Sequence, residues 1–597
     1  MSASVQASPT KPSIAENIPL ELWERIAFYA NAREDSFLGP PSDITNLCSV
    51  CRSLNIAIRF DNNPSLYARL FCFKFDYQAP LRRLGQESLT TRAVAQEFKK
   101  RILTLKQIRR RECNMEDLWT CYLMMLENDG RNERQLIEWA HLYGFLKRET
   151  CLRFAADSNS PSNWFKDTER TSLLLWLWWM AFSRDDVRIE NSHVRDSLVC
   201  HVLQIFVAAN FRYPSLMGYE SHLHPAKASQ GAWSSTPSTP IAQVNHYSKK
   251  LSLATPLLSQ ASLLVWTIRL ETIREITGFD RSAISALPLD RESAPNPGPT
   301  QLDVLNFHEV QIQAPIHASL TLSCCFREQI LASDHEEGSF APPLTGSRRY
   351  DTDWYRSVIC SDACAASIHS NHLAYERGTL TGLWEGFFVQ TSLEAHRALV
   401  LDPDRTPSET IALYRHPLYF ALQEHHCLNP DIPLTPGKDC LGGDDVLNAW
   451  LPQGLKIIEF ENEIEVYDPR AQRSVRYQTL VPEALREMVK NKSGGENSYP
   501  EDARRVNDIL ITGKTSEEHG AAWGHYLFVG RVRLWDGFIA LLRTPRDPAR
   551  SELGRWLFRG YIHDHNLVGH WRETSTPPKV LGYGGGFIAK NQTPLNN

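Results

Sequence analysis

The chain has 597 residues, 42% of them hydrophobic and 22% charged, with 64 basic against 69 acidic residues and a net charge of −5. That is the composition of a globular protein long enough for two to four domains with their own cores. The slight acidic excess argues against whole-chain attraction to nucleic acid. The lack of any run of about 18 apolar residues argues against a membrane-spanning helix.

Residues 1–13 are rich in Ser, Pro and Thr and hold no apolar core segment, so they read as a disordered tail and not a secretory signal. The stretch from Ile18 to Phe73 is different. Pro19 suits a first helical position, where a missing N–H costs nothing. Leu22, Trp23, Ile26, Ala27 and Ala30 follow at helical spacing. Asp43 is placed to cap a second helix whose apolar side is Ile44, Leu47 and Cys48. Val50, Cys51, Leu54, Ala57 and Ile58 suit a third. Three helices this short enclose a thin core, so such a module gains by packing on a partner or a neighbouring domain.

Three phrases stand in order here: a Pro-containing opener at Ile18-Pro19-Leu20, then Asp43…Leu47-Cys48-Ser49-Val50-Cys51-Arg52, then Pro64-Ser65-Leu66-Tyr67. Together they resemble an F-box, the helical module that docks a ubiquitin-ligase receptor onto its Skp adaptor. The link from Asn31 to Ser42 is longer than that family's usual one, which a surface loop tolerates. The resemblance implies an adaptor interface at Ile18, Pro19, Leu22, Trp23, Ile26, Leu47, Val50 and Leu66. The plainer alternative is a helical N-terminus whose apolar residues face the protein's own core.

After residue 75 a long helix is expected, with Val94, Phe98, Ile102, Leu105 and Ile108 on one face. Lys99, Lys100, Arg101, Lys106 and Arg109–Arg111 make the other face basic, which reads as a solvated surface more readily than a nucleic-acid stripe. Helical patterning continues over Met115–Glu127 and Glu133–Leu146, interrupted by a turn at Asp129-Gly130. Further apolar helices are expected at Ser172–Phe182, Asp196–Ala209 and Leu257–Ile276, with an exposed loop over Pro225–Pro240. The apolar stretch Leu173–Phe182 is too short to span a bilayer and reads as buried. No fixed-period repeat emerges. The thirteen cysteines have no regular framework, which fits reduced thiols in the cytoplasm or nucleus.

Pro288, Pro295, Pro297 and Pro299 mark residues 286–300 as a linker. Beyond a transition segment at 301–350, short Trp-, Tyr-, Phe-, Val- and Ile-rich runs bounded by Gly, Pro and Asp predict strands. They lie at Gly386–Val389, Leu399–Leu401, Leu455–Phe460, Glu465–Tyr467, Ile509–Gly513, Tyr526–Arg533, Gly537–Leu542, Trp556–Tyr561 and Leu567–Arg572. So many short strands suggest a sandwich or a closed barrel, and closure removes exposed edges. The phrases Thr379–Gly386, Gly530–Gly537, Trp556–Tyr561 and Gly569–Arg572 resemble the C-terminal β domain of fungal F-box proteins. That domain is similar to the barrel with which some animal F-box receptors bind substrate. The Gly382-Leu383-Trp384 opening also resembles lipocalin-like barrels.

Catalytic patterns are weak. Gly513-Lys514-Thr515 ends like a phosphate-binding loop, but Asp508 stands where the first glycine is needed. The glycines at 582 and 584–586 precede no helix. Cys360, Cys364, His369 and His372 could hold zinc, yet their spacing matches no common finger. His425-His426-Cys427 is weaker still. His563-Asp564-His565 cannot form a triad unaided, because neighbouring strand side chains point to opposite faces.

The expected fold is therefore a multidomain α+β chain: an F-box-like module at 14–75, a helical domain at 76–285, and a mainly-β, barrel-like domain at 351–597. The resemblance implies a non-catalytic substrate receptor of an SCF-type ubiquitin ligase, contacting the Skp adaptor and, through it, cullin and RING subunits. It implies a protein substrate that it does not name; the residues themselves suggest no cofactor, no metal, and neither nucleic acid nor membrane as partner. The alternatives are a ligand-binding or sensing barrel, and an F-box scaffold acting outside ubiquitin ligation.

Overall fold

The computed structural model describes residues 18–157, 168–191, 195, 198–212, 216, 240–276, 346–361, 374–401, 411, 413–428, 431–434, 444–480, 506–517, 519–520, 524–550, 554–578 and 580–592. The chain divides into two compact units. The first comprises Met1–Leu146, Val244–Leu251 and Ala341–Arg348; the second comprises Lys147–Gln243, Ser252–Phe340 and Arg349–Asn597. Residues 14–75 thus share a unit with the first part of the expected helical domain, and the rest of that domain falls in the second unit. The tail at 1–13, most of the Pro225–Pro240 loop and the 286–300 linker lie outside the described residues.

The first unit is helical. It contains α1 (Leu20–Asn31), α2 (Ser42–Val50), α3 (Arg52–Ile58), α4 (Pro64–Lys74), α5 (Gln78–Leu84), α6 (Thr91–Arg110) and α7 (Met115–Leu126). Pro19 sits just outside α1, and its carbonyl accepts from the backbone N–H of Leu22 at 3.1 Å and Trp23 at 3.3 Å. Asp43 does not cap α2: it lies within the first turn and meets Arg33 at 3.5 Å. Caps do form on α4, where Asn63 accepts from Leu66 N–H at 3.1 Å, and on α7, where Asn114 and Asp117 bond each other's backbone N–H. On α6 the five expected core residues, Val94 through Ile108, are all buried.

One expectation for α6 fails. Arg101 is fully buried, not on a solvated basic face. Its guanidinium bonds Glu97 at 3.1 Å, Glu127 at 2.5 Å and the Tyr247 hydroxyl at 3.1 Å. His246 completes the cluster, 2.6 Å from Glu127 and 3.4 Å from Glu97. Burial pushes Glu97 and Glu127 up, but the surrounding cations outweigh it and both carboxyls lie below their usual range. Burial likewise pulls His246 down, and the two carboxylates outweigh it and raise it. The cluster fastens Val244–Leu251, the tip of a hairpin of β1 (Ile241–His246) and β2 (Lys249–Ala254), onto α6 and α7. The helical pattern at Glu133–Leu146 is broken in the structure by a wide turn over Gln135–Trp139 and a left-handed residue, His141.

The second unit is built on a closed antiparallel barrel of eight strands. They are β3 (Gly382–Gln390), β4 (Tyr414–Leu428), β8 (Val506–Lys514), β9 (Tyr526–Arg533), β10 (Phe538–Pro545), β11 (Trp556–His563), β12 (Asn566–Glu573) and β13 (Gly584–Asn591). From β8 to β13 they follow as a meander; β13 pairs with β3, β3 with β4, and β4 with β8. The fifteen-residue β4 does two jobs. Its first part pairs with β3, and its last part carries a three-stranded extension, β7 (Arg473–Thr479), β6 (Glu463–Asp468) and β5 (Lys456–Glu459).

Alternation fills the barrel. Trp384, Phe388, Leu418, Phe420, Ile511, Phe528, Leu541, Phe558, Trp571 and Phe587 share one interior cluster. Phe538, Ala540 and Leu542, the other face of β10, pack outside with Trp450 and Leu557. Glu424 closes one end, accepting from the Tyr375 hydroxyl at 2.8 Å and from the N–H groups of Gly378 at 2.9 Å and Leu380 at 2.8 Å. On the outside, helix Leu258–Ile276 packs on β12, where Gln260 reaches the Val568 carbonyl at 3.3 Å.

Leu399–Leu401 is not a strand. It ends the helix Leu393–Leu401, because His396 and Leu399 share a buried helical face and Leu399 packs on Phe211. Among the described residues, β1, β2, β4, β7 and β13 are strands that the sequence did not signal.

His425 on β4 is buried between two threonine hydroxyls, Thr479 at 2.9 Å and Thr512 at 2.8 Å. Burial, helped by His426, pulls it from 6.5 to about 4. Below pH 6.5 the unfolded chain therefore takes up a proton that the folded chain refuses until about pH 4. Stability of the second unit should fall across that window, by up to about 3 kcal/mol from this group. In His425→Asn the melting temperature should decline less steeply between pH 6.5 and 4; an unchanged slope would exclude His425 as a source.

Candidate functional site

The helix α1 is apolar on two sides. Ala27 and Asn31 face the interior of the first unit, with Trp23 half-buried on the same side. Leu22, Ile26 and Tyr29, spaced i, i+4, i+7, form a second stripe that is 48%, 44% and 65% exposed. A helix apolar on only one face needs one neighbour; this one has a stripe left over. The adjacent helices add Val50 at 64% and Ile56 at 57%. Large apolar side chains concentrated on so short a segment mark a surface that gains by being covered.

The residues beneath this surface are fixed. Ile44, Leu54, Ile58, Leu66, Leu70 and Phe71 are buried. The Tyr67 hydroxyl donates to the Ile58 carbonyl at 3.0 Å. Glu24 ties α1 to α4, accepting from Ser65 at 2.9 Å and meeting Arg69 at 3.5 Å. The long link between α1 and α2 is also held. Gln135 accepts from Gly39 N–H at 2.7 Å and donates to the Phe37 carbonyl at 2.8 Å, and the buried Lys74 ammonium donates to Ser36 and Phe37 carbonyls. Gly39 has φ +70° and lies against the Trp139 indole, where a Cβ would collide.

Of the eight residues expected at an adaptor interface, Pro19, Leu22, Ile26 and Val50 are exposed, and Ile18, Trp23 and Leu47 are half-buried. Leu66 is fully buried and cannot touch a partner without unfolding α4; its place is under the surface, not on it. Leu20, Tyr29 and Ile56 are exposed apolar residues outside the eight expected at the interface. The signal for Tyr29 was available, since it continues the Leu22–Ile26 spacing.

The other candidates resolve differently. Cys360 is buried at the end of helix Asp351–Ile359, its thiol pushed well up by burial, while Cys364, His369 and His372 lie outside the described residues. Among the described residues no three potential ligands converge on a metal position. Gly513-Lys514 belongs to β8, whose ladder continues through both residues. In the His563-Asp564-His565 turn, Asp564 and His565 take φ of 43° and 63°. Both His563 nitrogens are engaged, one with Asp353 and one with Gln260, each at 2.6 Å. No helix among the described residues is long and apolar enough to cross a membrane.

No family model, curated protein or solved structure matches this chain.

Proposed function

We propose that the chain is an F-box-type substrate receptor, docked on a Skp adaptor through the outward face of α1–α3. The observation that carries this reading is the Leu22–Ile26–Tyr29 stripe, apolar and exposed on a helix whose other side is already packed. The three sequence phrases fall into complementary roles. The helix that follows the opener supplies the exposed stripe, the second phrase supplies Val50, and the Pro-x-Leu-Tyr phrase supplies buried support through Leu66 and Tyr67. Adaptor docking would bury the stripe and bring cullin and RING subunits to the chain. The second unit would then hold a protein substrate near the conjugating enzyme, so that catalysis is by raised effective concentration and not by residues of this chain.

The test is co-purification of the full chain with purified Skp adaptor, wild type against Leu22→Asp/Ile26→Asp. Both positions are about half exposed, so the carboxylates stay hydrated in the free protein and the fold tolerates them. In the complex they would be desolvated against apolar surface. Adaptor affinity should drop at least about 100-fold with the melting temperature nearly unchanged. Equal recovery of adaptor by wild type and variant would remove this surface from the interface.

A further inference from the structure

Arg543 lies on the inward face of β10 with Ile539 and Leu541, and is 4% exposed. It stands at the end of the barrel opposite Glu424, where β3, β8 and β10 finish and β4, β9 and β11 begin. Its register partners are Phe528 on β9 and Trp556 on β11. Four rings surround the guanidinium: Tyr526 and Trp556 at 4.0 Å, Phe388 at 5.4 Å and Phe558 at 5.6 Å.

Three other buried arginines of this unit each meet a carboxylate. Arg531 meets Asp508, Arg533 meets Asp536, and Arg356 meets Asp353. Among the described residues the Arg543 side chain has no carboxylate and makes no hydrogen bond, and its Nε is buried with no acceptor. Aromatic faces steady the charge, but a guanidinium's five N–H donors lie in its plane and call for acceptors. Burial pulls Arg543 down to about 10, so it remains a cation at neutral pH. A buried cation with unused donors is costly to keep unless something occupies the space beside it.

That space exists. A cavity of about 140 Å³ is lined by Arg543 together with Phe388, His416, Tyr526, Phe528 and Trp556. His416 stacks on Phe388 with centroids 5.0 Å apart. An apolar cavity of about 150 Å³ is enough to hold benzene. Here the walls are aromatic and a planar, bidentate donor waits at one side, the geometry that suits a carboxylate.

We propose that this end of the barrel is a binding site for a small aromatic carboxylate, with Arg543 gripping the carboxylate and the surrounding rings packing against the ligand's single ring. The site uses the second unit alone, so it stands or falls separately from adaptor docking.

The experiment is a calorimetric titration of the full chain with benzoate, with benzamide as the neutral isostere and acetate as the ringless anion. Tryptophan fluorescence is followed in parallel, because Trp556 lines the cavity. Benzoate should bind at least ten-fold more tightly than either control and should change the tryptophan emission. In Arg543→Gln the preference for benzoate over benzamide should vanish. If that variant does not fold, Arg543→Lys replaces it: the charge stays, the fork is lost, and benzoate should weaken at least three-fold with benzamide unaffected. Absence of benzoate binding, equal affinity for benzoate and benzamide, or an unchanged preference in the variant would overturn the proposal.

Discussion

Gly569→Val is expected to unfold the barrel of the second unit, or to lower its stability by at least about 3 kcal/mol. Gly569 on β12 stands directly across from Gly560 on β11. A Cβ at Gly569 would run into the Arg559 carbonyl and would sit 2.5 Å from the Gly560 Cα. These are backbone atoms, so no side-chain rotation relieves the clash, and separating the strands would break the ladder on both sides. The barrel closes through a single circuit of pairings, so damage at β11–β12 reaches β13 and β3 as well. A thermal melt followed by near-ultraviolet circular dichroism, sensitive to the many interior tryptophans, should show the transition lost or lowered by roughly 10 °C. A melt within two degrees of wild type would mean that the strands do not approach as closely as described.

Arg101→Leu should be the most damaging single change in the first unit, at about 3–5 kcal/mol. Leucine packs acceptably among Phe71, Phe75 and Tyr247, the rings around Arg101. The cost comes from what remains: Glu97 and Glu127 lose one of the two cations they share, with only His246 left to both in a fully buried site. In the wild type their contribution is present above the ordinary value near 4.5 and is lost as pH falls through the lowered folded values. The contribution of His246 runs the other way. It is complete below 6.5 and fades as pH rises through the raised folded value. Wild-type stability of this unit should therefore peak in mildly acid solution. In Arg101→Leu the acid-side loss should begin at higher pH, since Glu97 is then held down only by Lys100 and His246, and Glu127 only by His246. Denaturant melts across pH 4–8 would show both effects, and an unshifted acid limb would separate Arg101 from the carboxylates.

Much of this architecture was legible where side-chain periodicity is simple. The buried face of α6 follows from Val94, Phe98, Ile102, Leu105 and Ile108, and β9, β10, β11 and β12 follow from alternating aromatic and aliphatic residues. The misses have physical causes. The β4 strand carries Arg415, Pro417, Glu424, His425 and His426, because it bridges two sheets and a polar plug, so it does not read as a strand. Three consecutive glycines begin β13: a Cβ at Gly584 or Gly585 would strike the Trp571 or Val389 carbonyl, and one at Gly586 would strike the Leu263 side chain. Arg101 and Arg543 look like ordinary surface cations in the sequence. Their burial depends on partners far away in the chain: Tyr247 and His246 for one, four aromatic rings from three strands for the other. In the candidate docking surface, the apolar residues of α1 were legible, but not which of them faced outward. Periodicity places Leu66 and Leu22 alike on apolar faces; only the packed unit separates the support from the surface.

Hydrogen–deuterium exchange on the full chain, alone and saturated with Skp adaptor, would locate the docking surface. Slowed exchange should concentrate in Leu20–Asn31 and Ser42–Ile58, with the barrel strands unchanged. Protection confined to the barrel, or no protection anywhere at adaptor concentrations that saturate an F-box protein, would contradict docking through α1–α3.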